Sequence, residues 1–325
     1  MLKCSDTLEK ICEKLLSFRS PMIVMHTRPD ADTVGSAMAL SALLRQKGIS
    51  PVCVCPDEIP SRLAFLCEGE CVSAFEDARE YDAVISVDVA SPAQLGRLEG
   101  MADKVDVMID HHGKGTVFAP EYYIDAASAA CGEIVFEMAR IMGTLASVTV
   151  DAKVASRLYA AISSDTGSFK YGNTTAKTLR IAAELLALGI DNADISRRLF
   201  DSKSKSVLTA ERLAYEKMQW LSDGKITAAV LTNGDKARYG LCDSDLETAI
   251  DIVRMSEGSR VSFVIKEVGG QDGTYRVSMR SDGELDVAAI CAAFGGGGHR
   301  AAAGCTVTAK DADIALGMIL AEIKL

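Results

Sequence analysis

Four histidines occur in 325 residues, His26, His111, His112 and His299. Three of them stand beside aspartates that close short apolar runs. The clusters are His26-x-x-x-Asp30-x-Asp32, Asp88 after Val84 to Val87, Asp110-His111-His112 after Val105 to Ile109, and Asp165 after Ile162. A carboxylate directly after a hydrophobic strand lies at the edge of a sheet, where it meets solvent or ligand rather than core. One such aspartate is ordinary, a solvated loop residue or a helix cap, and Asp32 ahead of Thr33, Val34, Gly35 and Ser36 fits a cap equally well. Four drawn into one crevice repel one another by an energy on the order of several kcal/mol unless cations neutralise them. Ionised Asp30, Asp32, Asp88 and Asp165 carry the charge that a pair of divalent ions balances, and neutral His26 and His111 add nitrogen donors. A carboxylate and imidazole set without thiolates suits Mn²⁺ or another hard-to-borderline ion, and disfavours a cysteine-rich zinc site. Two such ions about 3.5–4 Å apart bridge a hydroxide, polarise a phosphoryl oxygen and stabilise a leaving oxygen. The chemistry implied is phosphoester hydrolysis.

A second stretch runs from Phe294 through Gly295, Gly296, Gly297 and Gly298 to His299 and Arg300. Glycines permit close backbone approach and unusual dihedrals, so their amides can face an anion. It is neither a P-loop, lacking Lys-Ser/Thr after the glycines, nor a dinucleotide fingerprint, lacking the G-x-G-x-x-G spacing. Apolar residues on both sides, from Ala288 to Phe294 and from Ala301 to Gly304, argue against a flexible linker.

These residues need a frame. Ser5 is the expected cap of an amphipathic helix running to Phe18, followed by a buried strand from Pro21 to Met25 and a small-residue helix from Val34. Val52 to Cys55, Ala83 to Val87 and Val105 to Ile109 are further apolar strands with helices among them. Fully apolar strands alternating with helices imply an α/β fold on a mostly parallel sheet, with ligands at the strands' carboxyl ends. From Ser128 to Leu221 helices dominate: Cys131 to Met142, Ala152 to Ser163, Thr175 to Leu188 stopped by Gly189, and Ser204 to Trp220. A helix from Asp245 to Met255 and the strands Ile226 to Leu231, Val261 to Glu267 and Tyr275 to Arg280 then predict a smaller α/β domain with a mixed or antiparallel sheet. At about 100–200 residues per domain the length fits two. The expected organisation is a metal-binding catalytic domain over 1–200, a helical connector over 201–220 and a substrate-binding domain over 221–325.

The motifs resemble the DHH phosphoesterase superfamily, carried by His26 to Ser36, Val87-Asp88, Asp110-His111-His112 and Asp165 to Phe169, in an order and spacing that span most of residues 20–175. The glycine stretch, preceded by Val277 to Ser281, resembles the GGGH motif of the DHH-associated C-terminal domain. That resemblance implies His26, Asp30, Asp32, Asp88, His111 and Asp165 as metal ligands, with Asp88 as the bridge. It implies His112 as the group that contacts the scissile phosphate or assists proton transfer to the leaving oxygen, and Asp110 as a residue that orients or supports the site rather than forming a main metal bond. Arg280, Ser281, His299, the glycines Gly296 to Gly298 and, less centrally, Arg300 are implied in holding the nucleotide or its non-scissile phosphate. Family II inorganic pyrophosphatases carry a different C-terminal domain, and RecJ-type exonucleases are longer. The branch resembled is that of the nanoRNases and phosphoadenosine-phosphate phosphatases. It implies two divalent ions, Mn²⁺ foremost, and as substrates short RNA oligonucleotides, 3′-phosphoadenosine 5′-phosphate or linear and cyclic dinucleotides.

The bulk composition agrees. Hydrophobic residues at 48% and charged residues at 25% describe an ordinary packed protein. A net charge of -10 and 6% aromatic residues disfavour long duplex DNA or a long single-strand channel, and leave short substrates held by local cations, with Arg28, Lys114 and Lys170 as further contributors. Two domains facing each other across the metal site would limit substrate length. Ten cysteines, with Cys53 and Cys55 alternating in a strand and Cys67 and Cys71 loosely spaced for a zinc knuckle, read as small buried hydrophobes in a reducing cytoplasm. There is no apolar leader and no stretch of the ~18 apolar residues that a membrane span needs. A homodimer is compatible with the sequence.

Overall fold

The computed structural model describes residues 2–69, 72–73, 81–271 and 273–325; Cys71 lies outside them. The backbone divides into two compact units, Met1–Ser202 and Lys203–Leu325.

The first unit contains β1 (Leu2–Cys4), α1 (Leu8–Ser17), β2 (Met22–Val24), α2 (Ala31–Arg45), β3 (Val52–Val54), β4 (Val72–Ser73), β5 (Val84–Val87), β6 (Val107–Asp110), β7 (Glu121–Asp125), α3 (Cys131–Ala146), α4 (Ala152–Asp165), α5 (Ala176–Ala187) and α6 (Asn192–Ser196). Its sheet has the order β1-β7-β6-β5-β2-β3-β4. Every neighbouring pair is parallel except β1 with β7 at the edge. Strands β2, β3, β5 and β6 are buried on both faces, which is why they read as continuous apolar runs. Ile23, Ile85, Val87, Val107 and Ile109 face the helical layer. Met22, Val24, Val84 and Met108 face a smaller core closed by the 3₁₀ segment Pro92–Lys104.

Thr7, rather than Ser5, caps α1, its side chain accepting from the Lys10 amide. The Ser5 hydroxyl is engaged on β7, donating to Glu121 Oε2 at 3.0 Å and accepting from the Tyr122 amide at 2.8 Å. Helix α2 starts three residues earlier than expected because Asp30, not Asp32, is its cap. All of α2 except Ala42 and Arg45 is buried, so no polar face marks it in the sequence. It runs against α4 at Gly35, where a Cβ would stand 2.5 Å from the carbonyl oxygen of Arg157. The Arg157 side chain is fully buried and donates to the carbonyls of Leu66, Met38 and Glu68 at 2.8–2.9 Å, joining α4 to α2 and to the 3₁₀ segment Ser61–Cys67.

The second unit contains α7 (Lys205–Glu216), β8 (Gln219–Leu221), β9 (Ile226–Leu231), α8 (Asn233–Tyr239), α9 (Ala249–Val253), β10 (Val261–Glu267), β11 (Thr274–Ser281), α10 (Val287–Ala292), β12 (Gly297–His299), β13 (Ala302–Thr308) and α11 (Ala312–Glu322). The sheet order is β12-β13-β11-β10-β9-β8, with β9 and β10 parallel and the other pairs antiparallel. One face packs on α10 and α11 and the other on α7 and α9. Helix α7 ends at Glu216, short of Trp220, because the chain turns back into the sheet and Trp220, on the edge strand β8, pairs with Thr227 of β9. Ala210, Leu213 and Ala214 bury α7 in this unit's own core. The expected helix from Asp245 breaks into a 3₁₀ turn, Asp243–Leu246, and α9; the Asp245 carboxylate is turned to the Cys242 amide and the Ser206 hydroxyl. Cys12, Cys53, Cys55, Cys131, Cys291 and Cys305 are buried, whereas Cys4 and Cys242 are exposed and Cys67 is half-buried.

The Gly35 contact yields a direct test. Gly35→Ala forces α2 off the α4 backbone and should lower unfolding stability by about 1–3 kcal/mol, the cost typical of overpacking; urea denaturation measures it, and unchanged stability would refute the contact.

Candidate metal centre

The site is built where parallel strands end. His26 follows β2, Asp88 follows β5, and Asp110 closes β6 with His111 and His112 immediately after it. Because neighbouring parallel strands run in register, their next residues emerge side by side at one edge of the sheet. Asp30 and Asp32 arrive on the first turn of α2, and Asp165 at the last residue of α4. Asp88 adopts φ +61°, a left-handed conformation that aspartate tolerates better than most residues.

Three groups of side chains converge: His26 with Asp30 and Asp88, Asp32 with His111 and Asp165, and Asp88 with His111 and His112, each having ligand atoms within 4.8 Å of one another. The Asp88 carboxylate stands between the first two. Its Oδ2 lies 3.5 Å from His26 Nε2, and its Oδ1 lies 3.5 Å from both His111 Nε2 and His112 Nδ1. His111 Nε2 also lies 3.6 Å from Asp32 Oδ2 and 3.3 Å from Asp165 Oδ2, and His26 Nε2 lies 3.6 Å from Asp30 Oδ1. Most of these separations exceed a good hydrogen bond and are those of donors arranged around a common centre. Oδ1 of Asp88 and Oδ2 of Asp110 are buried and make no hydrogen bond. The donor set, carboxylate oxygens and imidazole nitrogens around buried acceptors without a proton donor, fits divalent cations.

The surroundings fix the individual groups. Asp32 Oδ2 accepts from the Cys131 amide at 2.7 Å, and Oδ1 from the Gly132 amide at 2.9 Å and the Ser36 hydroxyl at 3.0 Å. Ala130, the cap position of α3, has no side chain able to accept, so a carboxylate from α2 performs the capping. Asp110 Oδ1 accepts from His112 Nδ1 at 2.7 Å and from the His111 amide at 2.8 Å, which orients the His112 ring. His26 Nδ1 lies 2.7 Å from the Thr27 carbonyl, turning Nε2 toward the acids. Ser36 sits one helical turn after Asp32, a spacing visible in the sequence. The link from Asp32 to α3 bridges 99 residues of sequence and has no local signature.

Charge crowding shows in the protonation equilibria. Burial, then the negative charge of Asp88, pushes the Asp32 carboxyl up to about 7. Burial, then Asp32, pushes Asp165 up to about 6. Burial also raises Asp88, against the pull of the imidazoles. Burial works against the charged form of His26 and His111, but the carboxylates around them outweigh it and raise both well above the ordinary histidine range. Asp30, partly exposed and facing His26, and Asp110, buried but bonded to His112, are lowered.

In the second unit, Arg280 and Ser281 close β11, and His299 ends β12. Arg280 Nη1 donates to the Met279 carbonyl at 2.9 Å. Ser281 donates to the Leu285 carbonyl and accepts from the Gly283 amide, while Arg300 donates to the carbonyls of Gly283 and Glu284. Ser281 and Arg300 therefore shape the 281–285 loop. Three of the four glycines have structural reasons to be glycine: Gly295 has φ +71°, and a Cβ at Gly296 or Gly298 would come within 2.2 Å or 2.5 Å of the β13 backbone. Gly297 has open space and no such conformation. His299 is exposed beside it.

Comparison with known proteins agrees with this fold. The model of the DHH family N-terminal domain matches residues 21–162 and that of the DHHA1 domain matches residues 223–324, together about three quarters of the chain. The chain belongs to the DHH family. Within it the chain falls with the NrnA-type branch: it is 29% identical over 324 residues to the bifunctional oligoribonuclease and PAP phosphatase NrnA of Thermus thermophilus, covering 98% of this chain and 94% of that protein. It is also 24% identical to the cyclic-di-AMP phosphodiesterase PdeA of Listeria monocytogenes, across 90% of this chain but only 45% of that longer protein. Its fold is that of an exopolyphosphatase-related protein from Bacteroides fragilis, with a TM-score of 0.88, 21% identity and coverage of 98% and 96% of the two chains. No described helix is long and apolar enough to cross a membrane.

Two predictions follow from the charges and the glycines. Without metal, folded Asp32 and Asp165 keep protons up to about 7 and about 6 that an unfolded carboxyl releases near 3.8, so the folded state binds more protons and loses stability as pH rises through that window. His26 and His111 contribute stability that is complete below 6.5 and is lost as pH climbs through their raised folded values. The melting temperature in EDTA should fall from about pH 5 to about pH 8, and saturating Mn²⁺ should flatten the slope; a melting temperature in EDTA that rises with pH would contradict the charge arrangement. Gly298→Ala should lower the melting temperature by disrupting the β12–β13 pairing, whereas Gly297→Ala should melt as the unaltered protein does.

Proposed function

We propose that this protein is a Mn²⁺-dependent phosphoesterase that hydrolyses short oligoribonucleotides to nucleoside 5′-monophosphates and removes the 3′-phosphate from 3′-phosphoadenosine 5′-phosphate. The observation that carries the reading is the buried Asp88 carboxylate facing one ligand group through each oxygen. The NrnA relatives, similar along nearly the whole chain, support the substrate class. In this reading His26, Asp30 and Asp88 would hold one cation, and Asp32, His111 and Asp165, together with Asp88, would hold a second. Bound divalent ions supply Lewis-acid activation of water and of a phosphoryl oxygen.

The protein's own groups do the rest. Asp110 accepts from His112 Nδ1 and favours the doubly protonated ring, so the imidazolium gives its Nε2 proton to the leaving oxygen and is left neutral with its proton on Nδ1. Asp30 and Asp110, the two carboxyls held low, stay ionised beside the imidazoles. Arg280 and His299 meet the non-scissile phosphate, with Gly297 allowing close approach of the backbone, while Ser281 and Arg300 keep the neighbouring loop in shape. Few cationic contacts suffice for a short substrate, in keeping with a net charge of -10. The nine described cysteines are free thiols, which suits the reducing cytoplasm.

Purified protein with Mn²⁺ should degrade di- to pentaribonucleotides and dephosphorylate 3′-phosphoadenosine 5′-phosphate. Asp88→Ala and His111→Ala should each lower the rate by more than about 100-fold, since even an outer-shell partner typically costs about 10–100-fold. Undiminished hydrolysis by either variant would overturn the ligand assignment. The similarity to a cyclic-di-AMP phosphodiesterase makes linear and cyclic dinucleotides the informative comparison, and a rate on the cyclic dinucleotide exceeding the others would reassign the preferred substrate.

A further inference from the structure

Asp88 must place one oxygen toward each ligand group, and its own hydrogen bonds do not explain how it does so. Oδ1 makes none, and Oδ2 faces His26 at 3.5 Å. Its backbone is held instead. On one side the Asp88 amide donates to the Ile109 carbonyl at 2.9 Å, continuing the β5–β6 ladder. On the other, the carbonyl of Val87, which opens the peptide bond into Asp88, accepts from the Thr33 hydroxyl of α2 at 3.0 Å. Thr33 and Val87 are both fully buried, so no water replaces that bond. The φ of Asp88 is +61°, a conformation that costs energy for any residue with a Cβ and persists only where neighbours enforce it.

We infer that Thr33 is a positioning residue that aims the Asp88 carboxylate between the two ligand groups, by anchoring the Val87 carbonyl at the start of the left-handed turn. This rests on the metal assignment under the proposed function. Thr33 lies on the same first turn of α2 as Asp30 and Asp32, and its amide also donates to Asp30 Oδ1 at 3.0 Å. One helical turn is thereby tied to all three carboxylates: Asp30 and Asp32 ride on it, and Asp88 is joined to it through the hydroxyl. A rotation of α2 relative to β5 would displace the shared carboxylate and the flanking ones together.

Two near-isosteric replacements separate the hydroxyl from the methyl. Thr33→Val keeps the shape and removes the donor; Thr33→Ser keeps the donor and removes the methyl. Mn²⁺ binding is titrated without substrate, free Mn²⁺ being read by electron paramagnetic resonance, and each protein's melting temperature is taken in EDTA. The expected result is Mn²⁺ affinity about 10–100-fold weaker in Thr33→Val, as for other outer-shell partners, with Thr33→Ser within a few-fold of the unaltered protein. Unchanged affinity in Thr33→Val overturns the inference. So does the reverse order, a weak serine variant and a strong valine variant, which would make Thr33 a packing residue only. Should the valine variant fail to fold, Thr33→Ala takes its place, and unaltered affinity in that protein overturns the inference equally. If the unaltered protein itself binds no Mn²⁺, the metal assignment fails rather than the role of Thr33 within it.

Discussion

Crowded negative charge under low water access is the constraint on which the first unit is organised. Asp30, Asp32, Asp88, Asp110 and Asp165 gather around three imidazoles, with Asp32, Asp88 and Asp110 fully buried. Burial alone would drive each carboxyl to its neutral form. The surroundings counter this unevenly: Asp30 and Asp110 are held ionised by facing imidazoles and amides, while Asp32 and Asp165 are left with affinity for positive charge. Such an arrangement is poor for a protein alone and good for a cation host, and a parallel sheet supplies it because several strands deliver their last residues to one edge.

The rest of the unit keeps that edge rigid. Every chemical group arrives on or beside an element set in the packed interior: β2, β5 and β6 between two hydrophobic layers, α2 buried nearly all round, and α4 fastened by the hydrogen bonds of Arg157. Asp32 belongs to both the scaffold and the site, since the amides it accepts from begin α3. Losing that carboxylate removes a donor and leaves a helix start uncapped, and the two effects are inseparable in a single substitution.

Much of this was legible in the sequence, for physical reasons. Strands buried on two faces are continuous apolar runs, and a polar residue ending such a run is conspicuous, which is why His26, Asp88 and Asp110-His111-His112 stood out. Edge strands lack that signature. Residues of the edge strands β1 and β12 are exposed, and β7, though paired on both sides, is only half-buried from Glu121 to Tyr123, so none of the three announced itself. Cap positions failed where a distant group competed, as Glu121 and Tyr122 do for Ser5. The partners of Asp32 and the anchoring of Val87 by Thr33 were invisible because folding, not spacing, brings those atoms together. The glycine run was readable as a close-approach element, but which glycines serve the β12–β13 pairing required the neighbouring strand.

The close passage of α2 and α4 at Gly35 sets a length. The helix bearing Asp30 and Asp32 and the helix ending in Asp165 meet through backbone, with nothing larger than a hydrogen atom between Gly35 and the Arg157 carbonyl. Side chains in a core are exchanged over evolutionary time for others of similar bulk, and each exchange shifts packed helices by fractions of an ångström. A main-chain contact has no such variable part. The span between carboxylates on the two helices is thus insulated from drift in the hydrophobic layer, which leaves that layer open to substitution while the gauge between the acids stays fixed.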